Sequence, residues 1–135
     1  MTKRLILMAA LAGCAGSTNY WNPYTPVRAT TTQPKAAAVQ KAVVAMTDAG
    51  REIESSDGAT GIVLSKWWSG DGFGGDQNRF RVRVSVDDAG GYEIAALCQT
   101  NNASNAGWSD DCDKTKRPQF VLDIVTKVDA AMNGQ

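Results

Sequence analysis

Between Arg79 and Val86 polar and apolar residues alternate without a break, Arg-Phe-Arg-Val-Arg-Val-Ser-Val, and this constrains the fold more than any other stretch. Successive side chains of a strand point to opposite faces, so Phe80, Val82, Val84 and Val86 share one side and Arg79, Arg81, Arg83 and Ser85 the other. One side must be buried and the other wet, which calls for an antiparallel sheet covered on one face. Asp87-Asp88-Ala89-Gly90-Gly91 supplies hairpin residues, and Tyr92 to Cys98 then returns with Tyr92, Ile94, Ala96 and Cys98 on one face. Upstream, Ile62 to Trp68 follows the turn residues Asp57-Gly58-Ala59-Thr60-Gly61 and reads as a further strand.

Helical spacing flanks these strands. Lys35 to Ala49 starts after Pro34 and stops at Gly50, with Ala36, Val39, Val43 and Met46 at intervals of three and four. Near the other end Pro118 precedes Phe120, Val121, Ile124, Val125, Val128 and Met132, and Asn133-Gly134 closes the run. The order helix, three antiparallel strands, helix predicts an α+β domain over 35–135. The expected form is a two-layer αβββα sandwich with both helices on the face that carries Phe80 and Val82.

The N-terminus has a different character. Lys3 and Arg4 precede the short apolar run Leu5 to Ala12, which ends at small residues and a cysteine. Eight residues fall far short of the roughly 20 that a membrane-spanning helix needs, so the run reads as a cleaved export signal. Leu11-Ala12-Gly13-Cys14 resembles the lipobox of bacterial lipoproteins. That resemblance implies a diacylglycerol on the Cys14 thiol, removal of residues 1–13 and acylation of the new amino terminus. Ala15 follows the cysteine, and in enterobacterial lipoproteins the absence of Asp there implies export to the outer membrane, facing the periplasm. More loosely, the αβββα order is similar to the BamC-type helix-grip domains of barrel-assembly lipoproteins, a likeness of architecture that carries no functional residues across.

Residues 14–34 are rich in Ser, Thr, Asn and Pro without periodicity and are expected to be a flexible tether from the lipid to the domain. Tyr20-Trp21-Asn22-Pro23-Tyr24 within it suits either a membrane or partner interface or a return onto its own domain. With Cys14 lipidated, Cys98 and Cys112 remain to form a disulfide in an oxidising periplasm; metal binding is the alternative, and without histidine a zinc set would need carboxylates.

Composition narrows the function classes. Lys and Arg number 14 against 14 Asp and Glu, so charge points to no nucleic acid or other polyanion. The chain contains no histidine, which removes the imidazole acid/base and serine–histidine chemistries. Carboxylates are left: Asp71 and Asp76 in the Gly70–Asp76 loop, and Asp110, Asp111 and Asp113, as a cation site or an acid/base pair, against solvated loops. The wet face of the sheet is the stronger candidate. Trp67 or Trp68, whichever points outward, would join Arg79, Arg81, Arg83 and Glu93, and tryptophan among arginines is a composition enriched at protein interfaces. The expectation is a non-catalytic envelope module that needs no cofactor and meets an envelope protein or peptidoglycan.

Overall fold

A computed structural model of the chain describes residues 25–70, 77–101, 107–110, 112 and 119–134. In chain order the elements are β1 (Val27–Thr30), α1 (Lys35–Asp48), β2 (Ile53–Asp57), β3 (Ile62–Ser65), β4 (Trp68–Gly70), β5 (Gln77–Val86), β6 (Gly91–Asn101) and α2 (Gln119–Met132). The strands form one antiparallel sheet in the order β1-β6-β5-β3-β2, with β4 also beside β5. The fold remains α+β, yet the predicted three-stranded αβββα order is wrong: the sheet has six strands. The order that suggested a helix-grip likeness is therefore not the order of this chain.

The missing strands share a physical property. Val27–Thr30 lies inside the stretch expected to be tether, and Ile53–Asp57 is nearly all polar; both are sheet edges with mostly exposed side chains. An edge strand pairs on one side only and buries little, so it leaves no hydrophobic alternation to read. The third difference is a split: Ile62 to Trp68 is two strands, β3 and β4, rather than one.

The central hairpin behaves as its alternation requires. Phe80, Val82, Val84 and Val86 on β5 and Tyr92, Ile94, Ala96 and Cys98 on β6 are buried against both helices. Opposite them lie Val39, Ala42 and Met46 of α1 and Val121, Ile124, Val125, Val128 and Met132 of α2. The buried stripe of α1 is rotated from the expected one: Ala38, Ala42 and Ala45 are buried, whereas Ala36 is exposed. Small side chains there let α1 lie against α2 as well as against the sheet. Helix α1 ends as Gly50 (φ 81°) turns left-handed, with Gly50 N–H bonded to Thr47 O at 2.9 Å and Arg51 N–H to Met46 O at 2.9 Å.

Two polar contacts tie the layers together. Tyr92 Oη donates to Asp129 Oδ1 at 2.6 Å, linking β6 to α2. Gln33 Nε2 donates to the Met132 carbonyl at 2.9 Å, satisfying one of the carbonyls that a helix C-terminus leaves open. No helix among the described residues is long and apolar enough to cross a membrane.

Candidate functional site

The wet face is shaped by a slip in register. Leu64 lies opposite Arg83 on β5, but Trp68 lies opposite Phe80, so four steps along β3 and β4 match three along β5. One residue is extra, and the extra residue reverses the faces. Val63 and Ser65 are buried, and unbroken alternation would carry Trp67 inward after them. Instead Trp68 turns in, where its ring centroid is 6.0 Å from that of Phe80 and 6.4 Å from that of Phe120, and Trp67 turns out. Ser65 repairs the ladder at the break: its buried Oγ accepts the Val82 N–H at 2.9 Å and donates to the Lys66 carbonyl at 3.0 Å.

With Trp67 outward, four side chains stack in alternation. The Arg79 guanidinium lies 4.4 Å from the Trp108 ring centroid and 4.5 Å from that of Trp67, and Arg81 covers Trp67 at 4.7 Å. The row runs Trp108, Arg79, Trp67, Arg81. Such cation–π contacts are worth about 0.5–1 kcal/mol each at exposed sites and more when water is excluded. Each arginine is also pinned from the side. Arg79 Nε and Nη2 donate to Gln99 Oε1 at 2.9 and 2.6 Å, and Gln99 Nε2 donates to Asp110 Oδ1 at 3.1 Å. Arg81 Nε donates to the Ser65 carbonyl at 3.1 Å, and its Nη2 meets Glu54 Oε1 at 2.6 Å. Glu54 stands at the irregularity in the β2–β3 pairing, so both breaks in the sheet converge on Arg81.

Trp108 reaches this face through local pairing. The main chains of Thr100 and Ser109 exchange hydrogen bonds of 2.8 and 2.9 Å, and the disulfide between Cys98 and Cys112, with Cα atoms 6.1 Å apart, closes the loop. That separation lies within the range a disulfide requires. Beyond the stack, Glu93 is shared by Arg28 at 2.9 Å and Arg83 at 3.4 Å. Apolar Ala95 and Leu97 lie opposite Arg83 and Arg81 across the β5–β6 ladder; Ala95 is buried and Leu97 half-buried.

Of the five residues read as a binding set, Trp67, Arg79 and Arg81 are brought together, Arg83 joins a separate ion pair, and Trp68 belongs to the core. Trp108, Gln99, Glu54 and Ser65 were not assigned to the face from sequence. Gln99 was legible in principle: a hairpin that places Val86 opposite Tyr92 also places Arg79 opposite Gln99. Trp108 had only its place inside the Cys98–Cys112 loop as a signal. Cys14, the Tyr20–Tyr24 cluster, Asp71, Asp76, Asp111 and Asp113 lie outside the described residues. Among the described residues no three Cys, Asp or Glu side chains gather as a metal site.

No protein-family model matches the sequence, and no curated protein matches it. Among solved structures the chain is similar to a DUF4468 family protein from Bacteroides ovatus ATCC 8483. The two are 12% identical with a TM-score of 0.50, over 82% of this chain and 85% of that one. At that identity the likeness concerns the fold alone.

Proposed function

We propose that the chain is a lipoprotein of the bacterial envelope, anchored through Cys14 in the outer membrane and facing the periplasm. Its domain acts as a non-catalytic binding or scaffold module for an envelope protein or peptidoglycan. The observation that carries the binding reading is the Trp108, Arg79, Trp67, Arg81 row on the face of the sheet opposite the helices. Long arginine side chains normally lose rotamer freedom on meeting a partner; here stacking and side-on hydrogen bonds have already ordered them, which lowers the cost of association. The lipobox-like start supports the anchor, and the Cys98–Cys112 pairing suits an oxidising compartment.

The test is an in-cell crosslink from a photoreactive residue at position 83 of the full-length protein, with fatty-acid incorporation followed in parallel. One dominant envelope partner, lost when Trp67 is replaced by Ala, is the expected outcome. Lipidated protein that captures nothing would remove the binding reading, and fatty-acid incorporation that persists after Cys14→Ala would remove Cys14 as the anchor.

A further inference from the structure

The charges on the outward face are compensated unevenly. Arg28 and Arg83 share Glu93, and Arg81 holds Glu54, but Arg79 is held by the neutral amide of Gln99. Among the described residues no carboxylate lies within ion-pair distance of Arg79. Asp110 stands one step removed, bonded to the far side of the Gln99 amide. The guanidinium lies between two indole faces, so turning to another partner would break both stacks. Gln99 occupies the fork formed by Nε and Nη2, and the fork formed by Nη1 and Nη2 meets no acceptor among the described residues.

A rigid, half-buried guanidinium with an open fork is complementary to a carboxylate, which it binds in plane through two parallel hydrogen bonds. The surroundings say what kind of molecule carries that carboxylate. Arg79, Arg81 and Arg83 repeat every second residue along β5, roughly 7 Å apart, with half-buried Leu97 opposite Arg81. A row of cations at that strand repeat fits an extended polypeptide, whose own side chains recur at the same spacing.

Resting on the binding reading above, we infer that Arg79 receives a carboxylate from an acidic segment of a partner protein laid across the outward sheet face. The partner supplies the counter-charge that Gln99 withholds. This commits the face to a protein ligand rather than to peptidoglycan.

The decisive experiment moves a carboxylate from position 110 to position 99, from behind the Gln99 amide to direct contact with Arg79. Gln99→Glu combined with Asp110→Asn leaves the net charge unchanged, keeps an acceptor on Arg79 and keeps a donor–acceptor bond between positions 99 and 110. It fills the vacancy at Arg79 from within. Hexaglutamate is titrated calorimetrically into the full chain at low salt, with hexaglutamine as the neutral control. Wild type is expected to bind hexaglutamate alone, and the double variant to bind it at least about tenfold more weakly, as expected for a lost charge-assisted hydrogen bond. Arg79→Lys keeps the cation but not the fork and is expected to show a similar loss, which preserves the test if the double variant does not fold. Equal affinity in wild type and variants, or no binding of hexaglutamate, overturns the assignment. A crosslinked partner at position 83 together with such a failure would leave the binding reading standing and remove only the acidic class of ligand.

Discussion

Ser65 is the residue through which the register slip can be tested. It is fully buried, and its hydroxyl takes the place of a backbone carbonyl for the Val82 N–H. Ser65→Ala removes that acceptor and also the donor to the Lys66 carbonyl while leaving every side chain around it in place. Orphaning a buried N–H costs about 1–3 kcal/mol, and for a domain of this size each kcal/mol lowers the melting temperature by roughly 4–8 °C. A loss of about 2 kcal/mol and roughly 8–16 °C is therefore expected by urea and thermal unfolding. Amide exchange at Val82 should accelerate. Lys66→Ala is the control: its ion pair with Glu52 is exposed, and surface pairs of this kind contribute about 0–1 kcal/mol. If Ser65→Ala unfolds within about 0.5 kcal/mol of wild type and Val82 exchange is unchanged, the hydroxyl is not what holds the slip, and the account of why Trp67 faces outward fails with it.

Three other perturbations have defined outcomes. Gly61 sits at φ +82° with its carbonyl accepting the Val86 N–H at 2.8 Å, and a Cβ there would fall onto the Val86 carbonyl oxygen. Gly61→Ala should cost at least about 2 kcal/mol of unfolding free energy, and a neutral result would mean that the turn is free to rearrange. Reducing Cys98–Cys112, which spans a sequence separation of 14, should cost about 3 kcal/mol in the chain-entropy view and should shift tryptophan fluorescence as Trp108 leaves Arg79. Unchanged fluorescence with dithiothreitol would show that the Thr100–Ser109 pairing alone holds Trp108. Burial, reinforced by the bond to Asp129, pushes the Tyr92 hydroxyl well above its ordinary 10.0. The folded state thus favours the neutral phenol, so its contribution is complete below about pH 10 and is lost as pH rises beyond it. Tyr92→Phe should flatten the alkaline limb of a stability–pH profile, and an unaltered limb would contradict this.

At the acid end the signs reverse. Backbone N–H groups of Ala59 and Thr60 hold the Asp57 carboxyl below its ordinary 3.8, and the Lys35 ammonium does the same for Asp88. Both favour the folded state above that value and lose their effect as pH falls through the depressed one. Asp88→Asn should accordingly reduce the acid dependence of the unfolding midpoint while leaving the neutral-pH fold intact.

The hairpin of β5 and β6 was legible because its information is local. A period of two over Arg79 to Val86 and again over Tyr92 to Cys98 assigns each side chain a face before any partner is known. The helices were legible for the same reason, although the stripe of α1 was misjudged where alanines gave too little contrast to locate it. Which cysteines pair was legible because few were left to choose from. Edges β1 and β2 were not, since a strand that buries almost nothing needs no pattern.

What the amino-acid order determined by itself was the apolar side of β5, β6 and α2, and with it an α+β layering and the position of the arginines on the face opposite the helices. Tertiary structure alone decided the faces of Trp67 and Trp68, the entry of Trp108 and the pairing of Arg79, Arg81 and Arg83. The physical reason lies in the one-residue slip between Ser65 and Trp68: inserting a single residue reverses every later side chain. Whether the insertion is tolerated depends on the Val82 N–H finding the Ser65 hydroxyl across the sheet. That hydrogen bond joins residues 17 apart, where no periodicity reaches.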